Sequence, residues 1–284
     1  MRRDYMKYIF SLLLFGSNGI IASYIPLGSH EIVFLRTGLG GAMLALLFIL
    51  SRPKLNIGKD KRQTLFLVIS GIATGISWIF LFEAYDLIGV SIATLAYYCG
   101  PVIIMLLSPL VFKERLTRVK LISFAVILGG MVLLNMDAFA EGRFSPGLLY
   151  GIASAFMYAA MIVFNKKAAG ISGLENAMWQ LVISFLTVSV YLLIRQDATF
   201  AITQQSIVPI FVLGLVNTGV GCYFYFSSLQ KIPASSVAIC GYLDPLFAVI
   251  LSVAILPEVL APVQIAGAAC ILGGAVFGDY LSRR

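Results

Sequence analysis

The sequence predicts an all-α membrane protein of ten transmembrane helices, arranged as two inverted repeats of five. Three observations predict it. The 284 residues are 60% hydrophobic and only 12% charged, whereas soluble domains carry about 25% charged residues. Ten apolar runs recur, at approximately 5–26, 30–51, 62–84, 88–112, 119–136, 145–165, 175–194, 206–228, 232–256 and 261–279. Each is near the roughly 20 residues that a helix needs to cross a bilayer. Finally, the chain matches itself at an offset of 144 residues, so that residues 1–139 and 140–284 read as two copies of one unit.

The offset keeps its register through several helices. Glu31 falls on Glu175, Thr74-Gly75 on Thr218-Gly219, Phe80 on Phe224, Tyr98 on Tyr242, Pro101 on Pro245 and Leu107-Ser108 on Leu251-Ser252. Chance matching of apolar letters would not hold Pro, Glu and Gly in step. Five spans per copy is an odd number, so the second copy enters the membrane from the opposite side. Inverted repeats are common in secondary transporters, with the binding site near the midplane where the copies meet.

The net charge of +7 is a topology signal rather than a nucleic-acid footprint. Seventeen of the twenty Lys and Arg residues sit at the N-terminal end, at alternate loops and at the C-terminal end. The opposite loops hold only Arg143 and Arg195, and Arg36 lies inside a span. The positive-inside rule then predicts a multi-pass cell-membrane protein with both termini in the cytoplasm. The first run is too long for a signal peptide and is read as an uncleaved helix. The four cysteines, Cys99, Cys222, Cys240 and Cys270, fall inside spans and suggest neither disulfides nor a metal site.

Further pairs at the same offset are Glu114-Arg115-Leu116 with Glu258-Val259-Leu260, and Ile127-Leu128-Gly129-Gly130 with Ile271-Leu272-Gly273-Gly274. With Pro101 and Pro245, and with five plus five inverted spans, these residues resemble the drug/metabolite transporter superfamily, most closely its EamA-type family. The resemblance covers essentially the whole chain. It implies alternating access, with spans one to four and six to nine lining a central cavity and spans five and ten as peripheral supports. Members of that family move amino acids, other metabolites or toxic compounds, often outward. One departure matters: Gly100 stands where the second copy has Asp244, so carboxylate chemistry is one-sided.

The candidate site centres on the two segments that contain Pro101 and Pro245. Proline leaves the carbonyl four residues earlier without its helical partner, here those of Tyr97 and Gly241. Such a carbonyl is tolerated in a membrane only where it is buried in protein or lines a wet cavity. Both prolines are therefore read as hinges. Asp244 lies at membrane depth, where an acid is a functional candidate by default. It can bind a substrate amine, carry a coupling proton, bind a cation such as Na⁺, or pair structurally. Tyr97, Tyr98, Trp78 and Tyr158 are further candidates for the substrate site, against the alternative that they fill the core. Asn18 and Asn217 line the cavity or join helices by hydrogen bonds.

Arg36 lies about 9 Å into span two at 1.5 Å per residue. It either contacts a substrate carboxylate, snorkels to the surface or pairs structurally, for instance with Glu83. The small-residue rows Gly38/Ala42, Gly41/Ala45 and Ala266/Cys270/Gly274/Gly278 mark tight helix contacts.

Two functions follow. One is secondary transport of small polar metabolites, such as exported amino acids, coupled to an inward proton flow. A zwitterion would place its amine at Asp244 and its carboxylate at Arg36. The other is transport of organic cations, with Tyr97, Tyr98, Trp78 and Tyr223 as an aromatic cage. An enzyme is not expected: one histidine and scattered cysteines give no nucleophile–base pair. No ATP-binding loop is present, and no cofactor or metal is expected. The expected partners are a small-molecule substrate and the lipid bilayer, with the chain a monomer or a homodimer.

Overall fold

The computed structural model describes residues 2–52, 54–88, 90–134, 146–196, 199–255 and 261–280. They form ten helical rods in chain order. Span one is Arg2–Gly16 continued by Asn18–Ala22, span two is Ser29–Ser51 and span three is Lys61–Ile88. Span four is Val90–Tyr97 followed by Cys99–Phe112, and span five is Arg118–Leu134. Spans six and seven are Pro146–Lys167 and Gly173–Arg195. Span eight runs through Gln204–Leu229. Span nine is Ala234–Gly241 followed by Leu243–Ile255, and span ten is Pro262–Tyr280. Six of these rods (one, two, three, six, seven and eight) are long and apolar enough to cross a bilayer. Large apolar side chains such as Leu110, Leu193 and Ile194 point outward, as a lipid-facing surface requires.

The packing repeats as the sequence does. Span three packs against span six, and its counterpart, span eight, packs against span one. Span four lies on span six, and span nine lies on span one. Spans two and seven, four and nine, and five and ten meet their own counterparts. Glycine makes the last of these contacts close. A β-carbon on Gly130 would stand 2.7 Å from the Gly267 carbonyl, and one on its counterpart Gly274 would stand 2.9 Å from the Ser123 carbonyl. Cys270 and Gly274 of the small-residue row of span ten therefore face span five within the chain.

Two counterpart glutamates tie the copies together at opposite ends of the bundle. Glu31 caps span two at the Gly28 amide and also accepts from the amides of Thr199 and Phe200, after span seven. Glu175 accepts at 2.8 Å from the amides of both Asn56 and Ile57, after span two. Each carboxylate satisfies loop N–H groups that would otherwise lack partners near the membrane. Glu114 does the same for span nine, accepting from the Ser235 amide at 3.0 Å and from the Ala234 amide and Ser235 hydroxyl at 2.6 Å. Its counterpart Glu258 lies outside the described residues.

Span eight departs from its counterpart. Its segment Val212–Val220 is wound as a π-helix. The Thr218 hydroxyl reaches the carbonyl five residues back, at Leu213, whereas Thr74 in span three reaches the carbonyl four back, at Ser70. π segments often occur at functional sites.

Candidate functional site

Spans four and nine are both broken, and they meet at their breaks. Tyr98 separates the two helices of span four and Tyr242 those of span nine, three residues before Pro101 and Pro245. The Tyr242 hydroxyl donates to the carbonyl of its own counterpart, Tyr98, at 2.8 Å. The two rings lie 6.2 Å apart. The expected free carbonyls were those of Tyr97 and Gly241; the one that takes a side-chain donor is Tyr98's, the neighbour of the first.

From residue 234 to residue 246 of span nine, Asp244 alone is not buried. Its carboxylate is within hydrogen-bonding reach of the Tyr98 hydroxyl. It also interacts electrostatically with Arg36, Tyr85, Tyr97 and Tyr158. All of these side chains are partly exposed, and the polar interior that they frame is called the chamber below. Spans two, three, four, six and nine each contribute to it.

Arg36 forms the chamber's cationic side. Its guanidinium lies 4.4 Å from the centre of the Trp78 ring. Its Nε is buried without a hydrogen-bond partner. No ion pair joins it to Asp244, and of the alternatives considered for Arg36 a pairing with Glu83 does not occur. Glu83 is taken at the outer end of the bundle by Arg195 at 2.9 Å, by His30 at 3.4 Å and by the Tyr191 hydroxyl. Those partners lie nearer to the Glu83 carboxylate because span three carries it beyond Trp78 toward the end of span seven. Arg36 is left on an aromatic face, where a desolvated cation gains about 2 kcal/mol.

Not every candidate is brought to the chamber. Asn217 of the π segment donates to the Leu14 carbonyl at 2.8 Å, the Ser17 hydroxyl at 2.7 Å and the Asn18 carbonyl oxygen at 3.0 Å. It thereby stitches span eight to the discontinuity at Ser17 in span one, and Asn18 is its partner in that task. Tyr223 lies beside Lys7, whose ammonium is 5.8 Å from its ring centre. Tyr158 stands edge-on to Tyr97, with ring centres 5.2 Å apart. Tyr85, which receives a hydrogen bond from Thr94 at 3.2 Å, was missed by sequence reasoning. The signal available was its spacing of seven from Trp78, which places both on one helix face.

The fold and chamber define a class: a multi-span helical membrane protein of two related halves that meet around a polar interior. Residues 5–136 and 145–277 each match the EamA-like transporter family, and the chain belongs to that family. It is 24% identical to the uncharacterized transporter YxxF of Bacillus subtilis, over 87% of this chain and 79% of that one. It is 26% identical to a probable amino-acid metabolite efflux pump of Salmonella typhimurium, over 99% of this chain and 97% of that one. A solved crystal structure superposes with a TM-score of 0.84 at 19% identity, covering 99% of both chains. That likeness concerns the fold.

Proposed function

We propose that the protein is a secondary active transporter of small zwitterionic metabolites, amino acids or close relatives, that works by alternating access and exports them. The observation that carries this reading is the pairing of a stacked, unpaired Arg36 with Asp244 across one chamber. A fixed cation and a fixed anion, each without an ion partner among the described residues, match the two ends of an amino acid. A carboxylate can take two parallel N–H bonds from a guanidinium, and the buried Nε of Arg36 offers one of them. The relative named as an amino-acid metabolite efflux pump supports the same substrate class.

The organic-cation reading is weaker here. It needs an aromatic cage beside Asp244, yet Trp78 carries Arg36 and Tyr223 carries Lys7. The loop charges support a cell-membrane location with both termini cytoplasmic. Asp244 is the group we assign to proton coupling, and Pro101 and Pro245 are the hinges.

The test is flux of labelled L-amino acids in proteoliposomes. Wild-type protein should exchange them across the membrane, and Arg36→Gln and Asp244→Asn should each reduce the exchange. Unchanged exchange in both variants sinks the reading.

A further inference from the structure

One cluster of titratable groups lies outside the substrate chamber. Tyr8 of span one, Tyr158 of span six and Tyr225 of span eight bring their hydroxyls together beside Gly241, at the break of span nine. The Tyr225 hydroxyl donates to that of Tyr158 at 3.3 Å. The Tyr8 hydroxyl is within hydrogen-bonding reach of both and donates to the Val237 carbonyl at 3.3 Å. A β-carbon on Gly241 would lie 3.8 Å from the Tyr158 hydroxyl oxygen and 3.9 Å from that of Tyr8.

The cluster has two ends. Tyr158 is partly exposed and interacts electrostatically with Asp244, so it reaches the chamber. Tyr8 is fully buried. Four residues before it, on the same helix face, is Asp4, 3.7 Å from Lys231 at the end of the bundle that carries the basic loops. Three phenols from three spans thus meet beside the break of span nine, with the chamber on the Tyr158 side and the helix that carries Asp4 on the Tyr8 side. Phenylalanine would fill the same volume without needing hydroxyl partners in the core.

We infer that Tyr158, Tyr225 and Tyr8 form a proton path between Asp244 and the basic face of the membrane. The inference rests on the proposal that Asp244 carries the coupling proton. Water in the chamber bridges Asp244 to Tyr158. Tyr158 accepts from Tyr225 at rest, so its hydroxyl first rotates to donate to Tyr225 or Tyr8; as it then accepts a proton on oxygen it releases its own to that phenol, and the next phenol does the same. No phenol is left ionised. Asp244 ends as a carboxylate, and the proton passes by way of Asp4 to bulk water. The groups that face Asp244 are Tyr98, Arg36, Tyr97, Tyr85 and Tyr158. Cys240 faces Tyr8, and Lys7 and Lys231 face Asp4.

Exchange and proton-driven transport separate the path from the substrate site. Exchange of a labelled L-amino-acid mixture moves no net proton, whereas accumulation against a gradient does. Tyr225→Phe and Tyr8→Phe in proteoliposomes should keep exchange within about twofold and lose proton-driven accumulation by about tenfold or more. Driven accumulation at the wild-type level in both variants overturns the path. Loss of exchange in variants with unchanged melting temperatures also overturns it, since the phenols would then serve the substrate. If the wild-type protein exchanges no amino acid, the transport reading has failed on its own. The path is then judged by the rate of Asp244 protonation after a pH jump, followed through the infrared carboxyl band missing from Asp244→Asn. Slowing by about tenfold in both Tyr→Phe variants supports it, and the wild-type rate overturns it.

Discussion

Spans four and nine are two copies of one broken helix, and they differ where it matters most. In span four the second position after the break is Gly100. A β-carbon there would stand 2.6 Å from Cδ1 of Tyr158, so the ring of span six fills the space an acid would need. In span nine the same position is Asp244, and the neighbouring helix is span one. There Gly16 brings the backbones together: a β-carbon on it would lie 2.8 Å from Cβ of Phe247 and 3.1 Å from the Asp244 carbonyl. One copy uses a large side chain against a glycine, and the other uses a glycine against the acid-bearing helix. The frame is symmetric and its filling is not. A symmetric frame suits the proposed carrier, which opens alternately to two sides, while a one-sided acid would give a bound solute a single orientation.

Forcing the copies to match is the harshest test of that contrast. Gly100→Asp drives a side chain into Tyr158 and buries a second acid beside Asp244. An uncompensated buried charge costs about 3–5 kcal/mol, so the folded protein should be lost, as read by size-exclusion profile and melting temperature. Removing the asymmetry the other way is milder. Asp244→Asn keeps the shape, so folding should be retained. The loss of a charged hydrogen bond, about 1.5–3 kcal/mol, should weaken binding of amino-acid substrates roughly ten- to a hundredfold, measured as ligand-induced thermal shift.

On the cationic side, Trp78→Ala removes the face that holds Arg36. A loss of about 2 kcal/mol should appear as weaker amino-acid binding, while Trp78→Phe should recover much of it. The smallest effect is expected where the copies touch. Tyr242→Phe removes the hydroxyl that bonds Tyr98 and should lower stability by about 1 kcal/mol, seen as a modest fall in melting temperature with binding retained.

The frame was legible in the sequence because its causes are local or periodic. Apolar run lengths gave the rods, and the 144-residue offset gave the pairing that the packing then follows. Pro101 and Pro245 marked the breaks, because a missing N–H acts on the residues beside it. The site was only partly legible. Asp244, Tyr97 and Tyr98 stood out by depth and by proximity to the prolines. Tyr85 did not: it shares a helix face with Trp78, but only the packed structure brings its hydroxyl within electrostatic reach of Asp244.

Chain order alone thus determined that the molecule is a pair of five-helix units in a membrane, and that only the second carries a midplane acid. The assembled structure decided which polar groups serve each other and which remain for a solute. It spent Asn217 on Asn18 and Glu83 on Arg195, and it left Arg36 on Trp78 within electrostatic reach of Asp244. The reason is physical: desolvation and hydrogen bonding depend on partners that are far apart in the chain and adjacent only after the helices pack.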